Sequence, residues 1–87
     1  MYTKEAIRET IRFAVKKVTG IKDIDDDMFL GDETLKIAPA NFIYIFDIIE
    51  KQLELPIHKV VETHSFMVMT INNLATATFE LSTVSHM

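Results

Sequence analysis

The sequence predicts an all-α protein, a bundle of four helices of which the third is short. Apolar residues recur at helical spacings of three and four in separate stretches of the chain. Only two glycines and two prolines occur among the 87 residues, which leaves little scope for the turns of a β architecture. Apolar residues make up 48% of the chain, enough for one hydrophobic core at this length.

The first helix is predicted over residues 3–18. Thr3 is a suitable N-cap because its hydroxyl can accept a hydrogen bond from a free N–H of the first turn. Gly20 stands just beyond the end, where a residue in the left-handed conformation often terminates a helix. The apolar residues that share one face are Ile7, Ile11, Ala14, Val15 and Val18.

Residues 20–38, the acidic loop, form a long connection without a sustained helical period. Residues 22–33 carry six carboxylates and one lysine, a net charge of −5. Because six large apolar residues interrupt this polar stretch, we expect the loop to be pinned onto the core, with one short helical turn in it. The six are Ile21, Ile24, Met28, Phe29, Leu35 and Ile37.

Pro39 is predicted to begin the second helix, because the N–H that proline lacks would be unpaired at the first helical position anyway. This helix runs to about Leu53. Its apolar surface is broad, which favours a central position in the bundle. That surface consists of Phe42, Ile45, Phe46, Ile49 and Leu53, widened by Ile43 and Ile48.

Two further helices are predicted in the second half of the chain. Pro56 interrupts the helical pattern, and a short third helix follows over residues 58–62. The last helix begins near Thr70, a good N-cap, and ends near Leu81. Residues 82–87 are expected to form a frayed tail.

Composition disfavours several classes of protein. The absence of cysteine excludes disulfides, thiolate metal sites and thiol nucleophiles. No apolar run approaches the ~20 residues of a membrane span, and the polar start of the chain is unlike a signal peptide, so we expect a cytoplasmic protein. A net charge of −4 disfavours nucleic acid as a partner. We expect one domain, residues 1–87, with its core over about residues 4–81.

This order of elements resembles the acyl and peptidyl carrier protein family over about residues 4–81. Phe29 and Leu35 stand where the family's loop has its hydrophobic residues before the central helix. Residues 45–56, IFDIIEKQLELP, are similar to the family's central helix and its exit, and residues 70–74 to the threonine-led start of its last helix. The resemblance implies an acyl-carrier-protein-like four-helix bundle that docks onto enzymes.

The chain departs from the family at the attachment residue. In the family, an Asp-Ser-Leu tripeptide heads the central helix, and its serine bears the 4′-phosphopantetheine arm. Alignment on Ile49 and Leu53 puts the tripeptide on Ala38-Pro39-Ala40, so Pro39 takes the serine position and has no hydroxyl. Pro39 also removes an N–H that would favour a phosphate at the helix N-terminus. The resemblance therefore implies docking without a covalent arm and without a cofactor. We also expect no catalysis, because in a chain of 87 residues a catalytic cleft would compete with the core for the same apolar residues.

The family's docking surface lies on the early central helix. At those positions this chain has a nearly neutral face with one aromatic ring, formed by Asn41, Tyr44, Glu50 and Lys51. We expect this face to bind a protein partner, namely a biosynthetic or peptide-modifying enzyme such as one of a peptide-maturation system. The simpler interpretation is that Tyr44 only covers the core with its hydroxyl in water.

Two other functions stay open. The hydroxyl nearest to Pro39 is that of Thr34, five residues earlier, so a working carrier with a displaced attachment residue would bear 4′-phosphopantetheine on Thr34. In the second alternative, the chain is a small acidic inhibitor or immunity-type protein that blocks a basic enzyme with its acidic loop.

Two charged features have simple interpretations beside functional ones. Asp23, Asp25 and Asp27 imitate the first calcium ligands of an EF-hand loop, but the sixth position is Met28 in place of glycine and the twelfth is Thr34 in place of glutamate, so we expect a solvated loop and no metal. The first helix carries a cationic stripe. The simple interpretation is a solvated face, and the functional one is a surface that binds an acidic partner or the chain's own acidic loop. The stripe consists of Lys4, Arg8, Arg12 and Lys16.

Overall fold

The computed structural model of the chain describes residues 2–64 and 69–84. In these residues it contains four α-helices, one 3-10 turn and no strand. The all-α prediction with a short third helix is therefore confirmed. The elements are α1 (Lys4–Thr19), a 3-10 turn (Glu33–Leu35) within the acidic loop, α2 (Pro39–Leu53), α3 (Ile57–His64) and α4 (Ile71–Val84).

The ends of α1 form as local chemistry predicts. The Ala6 N–H donates to Thr3 Oγ1 at 3.1 Å, which caps the first turn. Gly20 adopts the left-handed conformation with φ 75° and donates its N–H to the Lys16 carbonyl at 2.8 Å. A residue with a side chain would be strained at this φ, so glycine suits the position.

Helix α2 begins at Pro39, as predicted. Ala38 precedes it in extended conformation and has no side-chain oxygen to cap the first turn. At the other end Glu54 closes the helix at φ 56°, and its N–H donates to the Glu50 carbonyl at 2.7 Å. Leu55 and Pro56 then lead into α3.

The core lies where α1 packs against α2 and α4, and α3 packs against α2 and α4. Burial of these apolar faces supplies the main stabilising free energy of the fold. The buried residues are Ile7, Ile11, Ala14 and Val15 of α1, Ile45, Phe46, Ile49 and Leu53 of α2, Ile57 and Val60 of α3, Ile71, Leu74, Ala75 and Ala77 of α4, and Leu30 and Met69 from the connections.

The anchoring of the acidic loop differs from the prediction at Leu30 and Phe29. Leu30, which the sequence analysis did not single out, is fully buried, whereas the neighbouring Phe29 is 44% exposed. The Leu30 N–H donates to the Met69 carbonyl at 2.7 Å, which holds the backbone of Leu30 beside the core. Ile24, Leu35 and Ile37 pack against the core in part, as expected.

Three further expectations need correction. Ile43 does not widen the buried surface of α2, because it turns away from the core and is 62% exposed. Helix α3 is longer than residues 58–62. Helix α4 continues past Leu81, and Ser82, expected to be frayed, is buried with its hydroxyl donating to the Phe79 carbonyl at 2.8 Å. The rest of the expected tail, residues 85–87, lies outside the described residues.

Candidate functional site

The acidic loop is fastened to α1 by an arginine clamp. Arg12 Nη2 donates to both carboxylate oxygens of Asp26, at 2.9 and 2.7 Å, and also contacts Glu9 through Nη1. Hydrogen bonds to Asp26 and then to Glu9 raise the pKa of Arg12 above its usual value. Arg8 lies beside the clamp with its Nε 4.0 Å from Asp26 Oδ2. Part of the cationic stripe therefore contacts the chain's own acidic loop.

A second set of bonds fastens the same loop to the start of α4. The Asn72 N–H donates to the Asp26 carbonyl at 2.9 Å, and Asn72 Nδ2 donates to Asp27 Oδ1 at 2.6 Å. Thr70 Oγ1 caps α4 by accepting from the Asn73 N–H at 3.0 Å, as predicted. These bonds hold the loop in one position relative to the helices.

The remaining loop carboxylates make local bonds. Asp25 Oδ1 accepts from the Asp27 N–H at 2.8 Å. Asp32 Oδ1 accepts from the Thr34 N–H at 2.9 Å and from Thr34 Oγ1 at 2.8 Å, and these bonds lower the pKa of Asp32, the backbone bond more than the hydroxyl. In the part of the chain that the structure describes, no three His, Cys, Asp or Glu side chains converge as metal ligands would. Thr34 lies in the 3-10 turn with its hydroxyl bonded to Asp32.

The outward face of α2 consists of Ala40, Ile43, Tyr44, Asp47 and Lys51, all of them exposed. Ile43 and Tyr44 are adjacent, and their exposed fractions are 62% and 61%. Lys51 Nζ lies 3.1 Å from Asp47 Oδ2, so the charged end of this face is neutral. Two predicted docking residues, Tyr44 and Lys51, lie here, while Asn41 is half-buried beside the face.

Glu50 has a structural contact that the sequence analysis did not foresee. Its Oε1 accepts from the His58 N–H at 3.1 Å, and its Oε2 lies 3.8 Å from His58 Nε2. The His58 ring meets Phe46 edge-on with 5.7 Å between ring centroids. Because Leu55 and Pro56 offer no side-chain oxygen before α3, Glu50 supplies the acceptor for its first turn.

An apolar cavity of about 220 Å³ lies between the acidic loop, α2 and α3, and we name it the α2–α3 cavity. The Phe29 ring lies against Gly31 on its loop side, where a Cβ would come within 2.7 Å of Phe29 Cζ and would displace the ring. The rings of Phe42 and Phe46 are 6.3 Å apart. The lining residues are Phe29, Gly31, Pro39, Phe42, Phe46, Val61 and Met69, none of them charged.

Sequence reasoning missed this cavity, since four separate segments form it, namely the acidic loop, α2, α3 and Met69 before α4, and no local pattern marks it. The one sign of the cavity in the sequence is Gly31, which has no side chain and lies between Phe29 and acidic residues. Pro39, the residue at the family's attachment position, lines the cavity. The cavity and the outward face of α2 therefore meet at the first turns of one helix.

Comparison of the chain with protein-family models, with curated proteins and with solved structures finds no match. The carrier-protein resemblance therefore stays a prediction. None of the helices in the described residues is both long and apolar enough to span a bilayer.

Proposed function

We propose that this chain is an acyl-carrier-protein-like, non-catalytic protein that docks onto a biosynthetic or peptide-modifying enzyme as an adaptor or regulatory subunit. The observation that carries the proposal is the exposure of Ile43 and Tyr44, 62% and 61%, side by side on the outward face of α2. Aromatic and large aliphatic side chains at the centre of an interface contribute most of its binding free energy. Their exposure fits a surface that a partner covers.

The first turn of α2 supports docking without a covalent arm. Pro39 offers no hydroxyl at the attachment position, and Ala38 offers no capping oxygen. The phosphate of 4′-phosphopantetheine would find one N–H fewer there than at an ordinary helix N-terminus.

The docking surface is proposed as Ile43, Tyr44 and Lys51 with Asn41 at its edge. Glu50, first assigned to it from the resemblance, is occupied in capping α3. The electrostatic character of this face is close to neutral because Lys51 pairs with Asp47. Shape and apolar contact rather than long-range attraction therefore govern recognition in this proposal.

The test is capture of partner enzymes from an extract of the source organism by the tagged chain, read by mass spectrometry. Ile43→Ser with Tyr44→Ala is expected to lower affinity for the captured enzyme about 30-fold or more, as loss of a central interface residue does. Phe13→Ala is the matched control, since Phe13 is an exposed aromatic residue of α1, 46% exposed. Unchanged capture by the double variant, or equal loss in the control, would refute docking through α2.

Intact mass after co-expression with a phosphopantetheinyl transferase tests the displaced-carrier alternative. Our proposal expects no added arm. A mass gain of one arm that disappears in Thr34→Ala would replace the adaptor with a working carrier.

Salt dependence tests the acidic-inhibitor alternative. Asp26 is bonded to α1 and Asp27 to α4, whereas the exposed Asp23 and Asp25 can be neutralised without breaking these attachments, and an amide at position 25 keeps the oxygen that accepts from the Asp27 N–H. We expect capture that changes little between low and moderate salt and in Asp23→Asn with Asp25→Asn. A steep loss in both would favour an inhibitor that acts through its loop.

A further inference from the structure

We propose that the ring of Phe29 is a lid of the α2–α3 cavity, which moves from its place against Gly31 into the cavity and closes it. The structure shows the open arrangement, in which the ring lies at the border of the cavity. In the closed arrangement the ring occupies the cavity. This conformational device belongs to the acidic loop and does not depend on the proposed docking function.

The ring stands between the cavity and solvent. Phe46 and Met69 are buried and form the floor of the cavity, whereas Phe29, Gly31 and Pro39 are exposed and form its rim. Because Phe29 lines the cavity and is also 44% exposed, its ring contacts both the cavity and water. The staggered wells of a side chain differ by about 120°, so a change of rotamer is the direct route from the rim toward the floor.

The cavity is large enough to hold the ring. Its volume is about 220 Å³, and apolar cavities of about 150 Å³ bind benzene, which has the size of a phenylalanine ring. No side chain that lines the cavity carries a charge. The ring would therefore exchange water for apolar contacts on entering.

Burial of apolar surface favours closure. The open arrangement leaves a partly exposed apolar ring beside an apolar cavity, although protein interiors are close-packed and contain few voids larger than a water molecule. Entry of the ring would remove its exposed area from water and fill the cavity with dispersion contacts. The opposing terms are the lost contact with Gly31 and the lost rotational freedom of one side chain. Because gain and cost both have the size of one side chain, a change at one residue can select the arrangement.

Gly31 is the residue that permits the open arrangement. A Cβ at this position would come within 2.7 Å of Phe29 Cζ and 2.8 Å of Phe29 Cε2, so the ring could not stay where it is. Gly20 has a positive φ and Gly31 does not, so the backbone at residue 31 would accept alanine without strain. Alanine at this position therefore acts on the ring and favours the closed arrangement.

The lid makes the cavity conditional. Anything that enters the cavity competes with the ring, so its apparent affinity falls in proportion to the fraction of molecules in the open arrangement. Closure also removes the exposed apolar surface of Phe29 from the rim, next to Pro39 at the start of α2. The position of one ring therefore sets how much apolar surface the chain presents there.

The test uses the absence of cysteine from the chain. Met69→Cys places a single thiol on the buried floor of the cavity, and its rate of reaction with the small neutral reagent methyl methanethiosulfonate measures access to that floor. Adding Gly31→Ala is expected to slow the reaction about fivefold or more, because the ring closes the cavity. Adding Phe29→Ala as well is expected to restore at least the original rate, since no ring remains to close it.

Ala14→Cys is the matched control, because Ala14 is fully buried in α1 and does not line the cavity. A thiol there reacts when the fold opens more widely, and Gly31→Ala is not expected to slow it. Equal slowing of Met69→Cys and Ala14→Cys would show that Gly31→Ala acts on the stability of the whole fold, and would overturn the proposal.

Three other results would also overturn it. The first is an unchanged reaction rate of Met69→Cys in Gly31→Ala. The second is slowing that persists when Phe29→Ala is added, since the ring would not be its cause. The third is failure of Gly31→Ala to fold, because a ring able to enter the cavity would relieve the contact with the added Cβ.

The methyl resonances of Val61, which lines the cavity, report the position of the ring directly. In the full chain with Gly31→Ala alone, the ring current of Phe29 is expected to shift them, and adding Phe29→Ala is expected to remove that shift. Methyl resonances that stay at the parent positions in Gly31→Ala would contradict entry of the ring.

Discussion

Replacement of Leu30 by alanine is expected to be among the most damaging single changes in the acidic loop. Leu30 is fully buried and belongs to the hydrophobic core. Deletion of such a side chain costs about 2–5 kcal/mol of unfolding free energy. A domain of this length has only about 4–13 kcal/mol in total, and its melting temperature falls about 4–8 °C per kcal/mol. We therefore expect Leu30→Ala to melt about 8–40 °C lower, or to be partly unfolded at room temperature.

Phe29→Ala is the matched control, one residue away and larger by volume. Because Phe29 is 44% exposed, the loss of its buried area is expected to cost only about 1–1.5 kcal/mol. Urea denaturation measured by circular dichroism gives both values, with the slope of unfolding free energy against urea unchanged. A larger loss in Phe29→Ala than in Leu30→Ala would refute the assignment of Leu30 as the loop's anchor.

Three further changes test other parts of the structure. Glu50→Ala should lower the free energy of unfolding by about 0.5–2 kcal/mol, because it removes the acceptor for the first turn of α3. Amide exchange at His58 should become faster. Equal stability in Glu50→Ala and Glu50→Gln would contradict the assignment of Glu50 as the cap of α3. The pKa of Asp32 should lie below the usual value of an aspartate. In Thr34→Ala the pKa should return only part of the way, because the backbone N–H still donates to Asp32. Since the pKa is lowered in the folded state, the stability that these bonds contribute is present above the unfolded-state pKa and is lost as pH falls through the folded-state pKa. Thr78 is buried with no partner for its hydroxyl in the described residues, so Thr78→Val should match or exceed the parent stability by about 1 kcal/mol in urea denaturation, and a clear loss would reveal an unseen partner.

The helices were predictable because their signals are local. Thr3, Gly20 and Pro39 act within one turn of their own positions, and the ends of α1 and the start of α2 follow from them. Ser82 shows where this fails, because continuation of α4 past Leu81 depends on packing rather than on a capping residue.

The loop and the candidate site depended on contacts between distant residues. Leu30, and not Phe29, is buried beside Met69, whose carbonyl accepts from the Leu30 N–H although it lies far along the chain. The role of Glu50 follows from the folding back of α3 across Pro56. The α2–α3 cavity requires residues of four segments to meet, and hydrophobic periodicity in any one of them does not indicate it.

The acidic loop is attached by hydrogen bonds to α1 and to α4, and these two attachments differ greatly in the number of residues between the bonded positions. The Arg12–Asp26 clamp joins residues 14 apart, whereas the bond between Asn72 and Asp27 joins residues 45 apart. Closing the longer span has a higher entropic cost, so the attachment to α4 should form after the transition state for folding. Asn72→Ala should then accelerate unfolding and leave the refolding rate unchanged, so this fastening governs how long the native state persists.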